Sequence, residues 1–297
     1  MLTIHQEAQI PTEPDGGGIA WDAAIFVVVT HILGIGGTIL YGIYHGFTLP
    51  AVLICMIGIV LSNFAVGGGY HRGFTHGSYQ SHWLLRIFFI CFGSATFEGS
   101  VFKWAALHRR HHLASDTEDD PHNISRGFFW AHMGWVLHKF TPSKIKPNID
   151  DLKADPILRF QEKYYIFLAI AFGVLLPVGI GWLCKDPWGG LAIGVFLRII
   201  VFHHITWFIN SMAHSIGHKP YSDKITARDS FLTALLTLGE GYHNYHHAYP
   251  WDYRNGHDKL TYDPTKWGIW LLSLVGLTKN LQRVPEEVIA KHDSIYR

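Results

Sequence analysis

Three groups of histidines carry the spacing of metal ligands: His71-Arg-Gly-Phe-Thr-His76, His108-Arg-Arg-His111-His112 and His243-Asn-Tyr-His246-His247. On a helix, residues at i, i+3 and i+4 project from one face, so His108, His111 and His112 are expected to converge on one point, and His243, His246 and His247 on another. The five-residue step from His71 to His76 does not keep two rings on one face of an α-helix. That pair calls for a helix end or a bend, and Gly67-Gly68-Gly69 just upstream offers a place for one. Imidazole nitrogen suits zinc, copper, iron and nickel, and one such ion seldom takes more than about four to six ligands. Eight imidazoles grouped in this way predict two metals. The chain holds 21 histidines, and of the thirteen outside the clusters all but His214 are read as packing or surface residues, including the pair His203-His204 in an apolar stretch.

The elements that position these clusters are hydrophobic. Of the 297 residues, 48% are hydrophobic, and the mean hydropathy is +0.14. Four stretches, about 21–44, 49–67, 164–183 and 187–210, are apolar over the roughly 20 residues needed to cross a bilayer core of about 30 Å. They pair into two hairpins that turn near residues 45–48 and 184–187. All but two of the 24 Lys and Arg residues, Lys185 and Arg198, lie between residues 68 and 163 or after residue 210. The positive-inside rule then makes those two regions cytoplasmic. The expected fold is all-α: one integral membrane domain of four transmembrane helices, with a cytoplasmic helical cap from 68–163 and 211–297 holding a two-metal site.

A fifth apolar stretch, 83–105, tests this topology. Counting it as a span would put His71 and His108 on opposite sides of the membrane, and it carries Arg86 and Glu98, which are costly at the bilayer centre. It is read as lying at the interface, as are the amphipathic stretches 231–238 and 267–277. The N-terminal tail lacks the basic start of a secretory signal. Cys55, Cys91 and Cys184 show no C-x-x-C spacing, so neither a disulfide framework nor a thiolate site is expected.

Around the clusters stand Asn210-Ser-Met-Ala-His214, Asp120-Pro-His-Asn123 followed by Arg126-Gly-Phe-Phe129, and Gly239-Glu-Gly-Tyr-His-Asn-Tyr-His-His247. With these motifs the chain resembles, from about residue 20 to 260, the membrane-bound fatty acyl desaturases, the di-iron family that includes stearoyl-CoA desaturase. The resemblance implies nine metal ligands, His71, His76, His108, His111, His112, His214, His243, His246 and His247, with Asn210 reaching one metal through a water. It implies two iron ions as cofactor and O2 as co-substrate. The implied reaction introduces a cis double bond, at Δ9, with two electrons from outside, and no separate acid or base is assigned. A membrane hydroxylase with the same metal site is the nearest alternative, and a non-catalytic metal-binding membrane protein a more distant one.

No G-x-G-x-x-G follows a strand and no H-P-G-G of a fused cytochrome b5 is present, so no bound nucleotide or haem is expected. Electrons would come from an external carrier of the ferredoxin, rubredoxin or cytochrome b5 type with its reductase, docking near Lys144, Lys146 and Lys153. Asp116, Glu118, Asp119, Asp120 and Glu240 are candidates to orient imidazole N–H groups. Glu240 and His243 form a single E-x-x-H unit, whereas soluble di-iron proteins use two. The animal acyl-CoA enzymes read W-A-R-D-H where this chain reads Trp104-Ala-Ala-Leu-His108, and G-W-L-L-V-R-K where it reads Gly134-Trp-Val-Leu-His-Lys139. The headgroup contacts are therefore not carried over, and the substrate is expected to be an acyl chain on CoA or on membrane phospholipid. Trp104, Phe97 and Trp207 are candidates to line an acyl tunnel, and Ile57, Val60 and Phe64 to form its floor. No nucleic acid is expected as a partner.

Overall fold

A computed structural model describes residues 13–141 and 145–290. Lys144 lies outside the described residues. Among the described residues, four helices are long and apolar enough to cross a membrane: α1 (Trp21–Tyr44), α2 (Leu49–Thr75), α6 (Pro156–Leu183) and α7 (Pro187–Ser211). Between α2 and α6 come α3 (Trp83–Ser94), α4 (Val101–Ala114) and α5 (Phe128–His132); after α7 come α8 (Phe231–Leu236), α9 (His243–Ala248) and α10 (Pro264–Leu274). The outward faces of α1 and α2 are aliphatic, with Ile32, Ile39, Met56 and Ile57 all more than half exposed. Surfaces of that kind belong against lipid chains.

The second helix runs beyond the expected end near residue 67. Its last stretch, Phe64–Thr75, is wound as a π-helix, and the His76 N–H donates to the His71 carbonyl at 3.1 Å, five residues back. A π turn is rare and frequent at functional sites. It turns the awkward five-residue step into a facing pair, with the His71 and His76 rings 5.0 Å apart. The glycines before it serve close packing instead of a bend. A Cβ on Gly69 would meet Phe89 at 2.4 Å, and one on Gly67 would meet the Glu240 carboxylate at 2.9 Å.

The third helix begins at Pro156 instead of near residue 164, and Tyr164 carries a kink (φ −113°, ψ 21°). Both α6 and α7 contain a π turn, at Ala171–Leu175 and Ala192–Leu197. A carbonyl from each accepts from buried Arg198: Gly173 O from Nη2 at 3.0 Å and Gly194 O from Nε at 3.0 Å. Nη2 also donates to Ala95 O at 3.1 Å. The arginine faces the bundle interior, the arrangement that makes an intramembrane charge tolerable.

The two hairpins meet at the end of the bundle away from the histidine clusters. Thr48 and Asp186 cap the helices that follow them, accepting from Ala51 N–H and Gly189 N–H. Asp186 Oδ2 also accepts from the Tyr41 and Thr48 hydroxyls, each at 2.5 Å.

The apolar stretch 83–105 is two helices, not one. At 12 residues, about 18 Å, α3 is too short to span. Residues 95–100 break the path through positive φ at Phe97 (62°) and Gly99 (100°). Trp83 and Leu84 on α3, Phe231 and Leu232 on α8, and Leu271 and Leu274 on α10 are exposed, which gives three short helices with an unpartnered apolar face. Arg86 is ion-paired with Asp155. The main core packs Tyr70 and Phe74 of α2 against Phe89 of α3, Phe102 and Ala105 of α4, and Leu158 of α6.

The all-α expectation misses two short antiparallel ladders. β1 (Glu13–Ile19) pairs with β3 (His138–Thr141), and β2 (Gln80–Ser81) with β4 (Thr278–Lys279). Strands this short and, in β1, this rich in glycine form because a partner edge is present, not from intrinsic preference. Replacing Asp186 with Ala should lower the melting temperature in detergent by several degrees, from about 1–3 kcal/mol of lost hydrogen bonding. Metal content of the purified variant should be unchanged, because the linkage lies at the opposite end of the bundle.

Candidate metal centre

The nine histidines come together as two groups. Ligand nitrogens of His71, His76, His108, His112 and His246 lie within 4.8 Å of one another, and those of His111, His214, His243 and His247 do the same. Each H-x-x-H-H cluster therefore feeds both groups. The i and i+4 members of α4, His108 and His112, enter the first group while His111 enters the second; in α9, His243 and His247 enter the second while His246 enters the first. The expected convergence of three rings on one point gives way to an interleaving, in which one helix turn braces two centres.

Within the first group, Nε2 atoms are 3.0 Å apart for His71 and His246, 2.9 Å for His76 and His108, 3.0 Å for His108 and His112, and 3.0 Å for His112 and His246. In the second, His111 and His243 each lie 3.1 Å from His247. These are the edges of a coordination shell: two nitrogens at about 2.1 Å from one metal and at right angles are about 3.0 Å apart. The buried His214 Nε2 has no hydrogen-bond partner. Four rings present Nδ1 to an oxygen outside the groups, His71, His111 and His214 at 2.8–3.1 Å and His247 to Ser115 Oγ at 3.5 Å, which turns the Nε2 lone pair inward. The donor set fits two transition-metal ions.

Those oxygens are held in turn. Glu240 Oε2 lies 3.1 Å from His71 Nδ1, while Arg72 donates to Oε1 at 2.7 Å and Asn255 to Oε2 at 2.5 Å. Asp263 holds Arg72 from the other side at 2.9 Å. Burial alone would raise the Glu240 pKa, but Arg72 and His71 bring it down to about 2. Asp120 Oδ1 accepts from His111 Nδ1 at 2.8 Å and from the His122 N–H at 2.9 Å. The His214 Nδ1–H donates to Thr226 Oγ1 at 2.8 Å, whose hydroxyl donates to Asp116 at 2.5 Å. Burial, reinforced by neighbouring imidazoles, pushes His108, His112, His243, His246 and His247 well below the usual histidine range. They are neutral at physiological pH, the form that binds metal.

Not every candidate acid is placed to act. Glu118 is exposed, and Asp119 faces Arg110, its carbonyl accepting from Nε at 2.7 Å. Glu240 sits on the Nδ1 side of His71, away from the ligand nitrogens, so the E-x-x-H unit does not supply a carboxylate ligand. Sequence reasoning passed over Thr226 and Asn255, which stand in loops outside the clusters and carry no motif. Arg72 was visible inside the first cluster, but nothing in its spacing marked its role. His203 and His204 stand apart from both groups: His203 Nε2 bonds Thr96 O at 2.7 Å, and His204 bridges His31 at 3.2 Å and His132 at 2.9 Å.

A cavity of about 450 Å³ opens onto His71 and His108. Its volume is in the range of small-molecule sites. Trp104 lines it and stacks on His108 at 5.0 Å; Phe97, Trp207 and Asn210 line it as well. Along α7 the lining runs from Asn210 back to Phe202, roughly 12 Å of helix, and on α2 it ends at Asn63. The floor expected from Ile57, Val60 and Phe64 is not there. Ile57 and Val60 lie on the opposite face of α2, 54% and 56% exposed, and Phe64 packs against Phe88 and Phe89. The inward face of α2 at that depth carries Ile59, Ser62 and Asn63 instead.

Replacing Asp120 with Asn removes the anion that fixes His111 while preserving shape. Metal affinity should fall about 10- to 100-fold, read as metal retained per protein after equilibration with a weak chelator, with the helical circular dichroism spectrum unchanged.

The fatty acid desaturase family model matches residues 46–264. The chain is 44% identical to acyl-CoA desaturase 1 of Saccharomyces cerevisiae over 76% of its own length and 46% of that protein. It is 35% identical to acyl-CoA Delta-9 desaturase of Acheta domesticus over 84% of its length and 70% of that protein, and 33% identical to human stearoyl-CoA desaturase 5 over 94% and 87%. The chain spans about half the length of the fungal relatives it matches, 56% for that of Schizosaccharomyces pombe. With the match covering most of the chain, including all nine histidines of the metal-ligand groups, this protein belongs to the fatty acid desaturase family.

Proposed function

We propose that the chain is an O2-dependent fatty acyl desaturase that introduces one cis double bond, at Δ9, into a saturated acyl chain. The observation that carries this reading is the junction of two imidazole-only groups with a long, mainly apolar cavity. The overall change is R–CH2–CH2–R′ + O2 + 2 e⁻ + 2 H⁺ → R–CH=CH–R′ + 2 H2O. The nine histidines would hold iron, which when bound would supply the O2 and one-electron chemistry that no side chain provides. The protein's own part is placement. Glu240, Asp120 and the Thr226–Asp116 pair hold ligand rings in one tautomer, and Asn210, on the cavity wall next to the turn that ends in His214, is positioned to hold a water. Trp104 packs against His108 and confines the chain beside the metal-facing wall.

The names of the relatives favour an acyl-CoA substrate, and phospholipid-bound acyl chains are the competing pool. The histidines lie at or beyond one end of the four spanning helices, His71 in the last turns of α2, in the segments that hold nearly all the basic residues, which supports a cytoplasmic active side. An external carrier would bring the electrons, and exposed Lys146 and Lys153 offer a basic approach for an acidic one.

Expression in a host lacking its own desaturase, followed by gas chromatography of total fatty acids, should reveal a new cis monoene. A hydroxy acid, or no new product from well-expressed protein, would sink the reading. Alanine at His71, His111 or His246 should abolish the product. Labelled stearoyl-CoA and labelled phospholipid, supplied to active membranes, will identify the substrate by the pool that gains the double bond first.

The cavity makes a separate expectation about chain length. Asn63→Trp should shift products toward shorter chains, whereas Ile57→Trp on the outward face of the same helix should leave the profile unchanged.

A further inference from the structure

Glu98 is a charged residue type in an apolar wall. It sits in the break between α3 and α4, between Phe97 and Gly99, and lines the cavity with Trp104 and Thr206. Neither carboxylate oxygen is reached by solvent or has a partner at hydrogen-bond geometry, and among the described residues Glu98 makes no ion pair. A carboxylate buried in this way is costly unless paired, and the alternative is to hold its proton.

We propose that Glu98 is a positioning residue of the substrate cavity and that the cavity admits an acyl chain only when Glu98 is the neutral acid. This rests on the desaturase reading of the site. A neutral carboxyl can stay in the wall, with the Trp104 indole and Thr206 hydroxyl as its nearest polar neighbours. An ionised one gains water only by turning into the cavity, the space an alkyl chain would fill. The chain brings no counter-charge, so the two compete.

The surroundings do not supply the missing charge. Tyr165 of α6 and Tyr70 of α2 face Glu98 as neutral phenols. On α7, His203 is engaged with Thr96 O. Lys103 of α4 and Asp22 of α1 line the cavity but are exposed and unpaired with Glu98. Burial accordingly pushes the Glu98 pKa up to about 7, with Thr206 and Trp104 opposing the rise. The sign follows: the binding-competent neutral form predominates below pH 7 and is lost as pH rises through that value.

The test is equilibrium binding of stearoyl-CoA to purified, metal-loaded protein without electron donor, between pH 6.5 and 8.5 at constant ionic strength. For wild type the apparent Kd should weaken roughly 20-fold over that range. Glu98→Gln should show a nearly flat profile, which also subtracts the ionisation of CoA itself, and Glu98→Met serves the same purpose if the first variant does not fold. In turnover assays the alkaline loss should appear as a rising KM more than a falling kcat, and should vanish in E98Q. Parallel wild-type and E98Q profiles, or a wild type that binds equally well across the range, would overturn the assignment. Protein that binds no acyl chain at any pH and yields no unsaturated product in cells would bring down the desaturase reading, and this inference with it.

Discussion

Nine imidazole lone pairs directed at two points in a buried pocket are the constraint from which most of this structure follows. With Nδ1–H of His71, His111 and His214 given to oxygens outside, the Nε2 atoms that face inward are acceptors without donors. Their spacing of about 3 Å repels unless a cation sits between them. Metal affinity and local stability are therefore the same quantity near the site. The surrounding network reads as a frame that holds the rings against that repulsion: Arg72 tied to Glu240 and Asp263, Asn255 closing on Glu240, and Asp120 gathering His111 and two backbone N–H groups.

The interleaving of the two H-x-x-H-H helices is the economical way to meet that constraint. A helix turn places i+4 about 40° to one side of i and i+3 about 60° to the other, since each residue advances by about 100°. Two such turns facing each other can share one boundary between two centres. The stacked rings of His112 and His247, 4.2 Å apart, lie on that boundary. The first cluster cannot join by the same route, because His71 and His76 are five apart, and the π-helix supplies the wider turn. The cost of π winding is offset by burial, since nearly every residue from Ala65 to Thr75 is buried in the core.

How much of this was legible follows from which forces act locally. The spans, the hairpin turns and the short interfacial helices depend on hydropathy along the chain, and they emerge in their expected places apart from the ends nearest the metal site, where α2 and α6 each run about eight residues further. The ligand clusters depend on helix periodicity, which shows which rings share a face but not how one face is divided between two centres. Thr226 and Asn255 depend on where loops return in space, and no periodic signal marks them. The tunnel floor failed for a geometric reason: Ile57, Val60 and Phe64 recur at helical spacing, but periodicity alone does not distinguish the face turned to lipid from the face turned to the bundle, since both are apolar in a membrane helix. Burial of Ser62 and Asn63 shows which face is inward, and polar residues were the better signal.

The same reasoning bears on the Ala106-Leu107 step, where the animal enzymes carry an arginine and an aspartate. In this chain Ala106 is 1% exposed and Leu107 8%, and Leu107 lines the cavity. A charged pair at these positions would be desolvated here, in a wall where Trp104 and His108 of α4 already pack face to face. The substitution is therefore a change in the character of the wall and not the trimming of a surface contact. Polar contact with the non-alkyl end of a substrate has to come from the rim. Among the residues lining the cavity, the exposed charged side chains are Asp22 at the start of α1 and Lys103 one helical turn before Leu107.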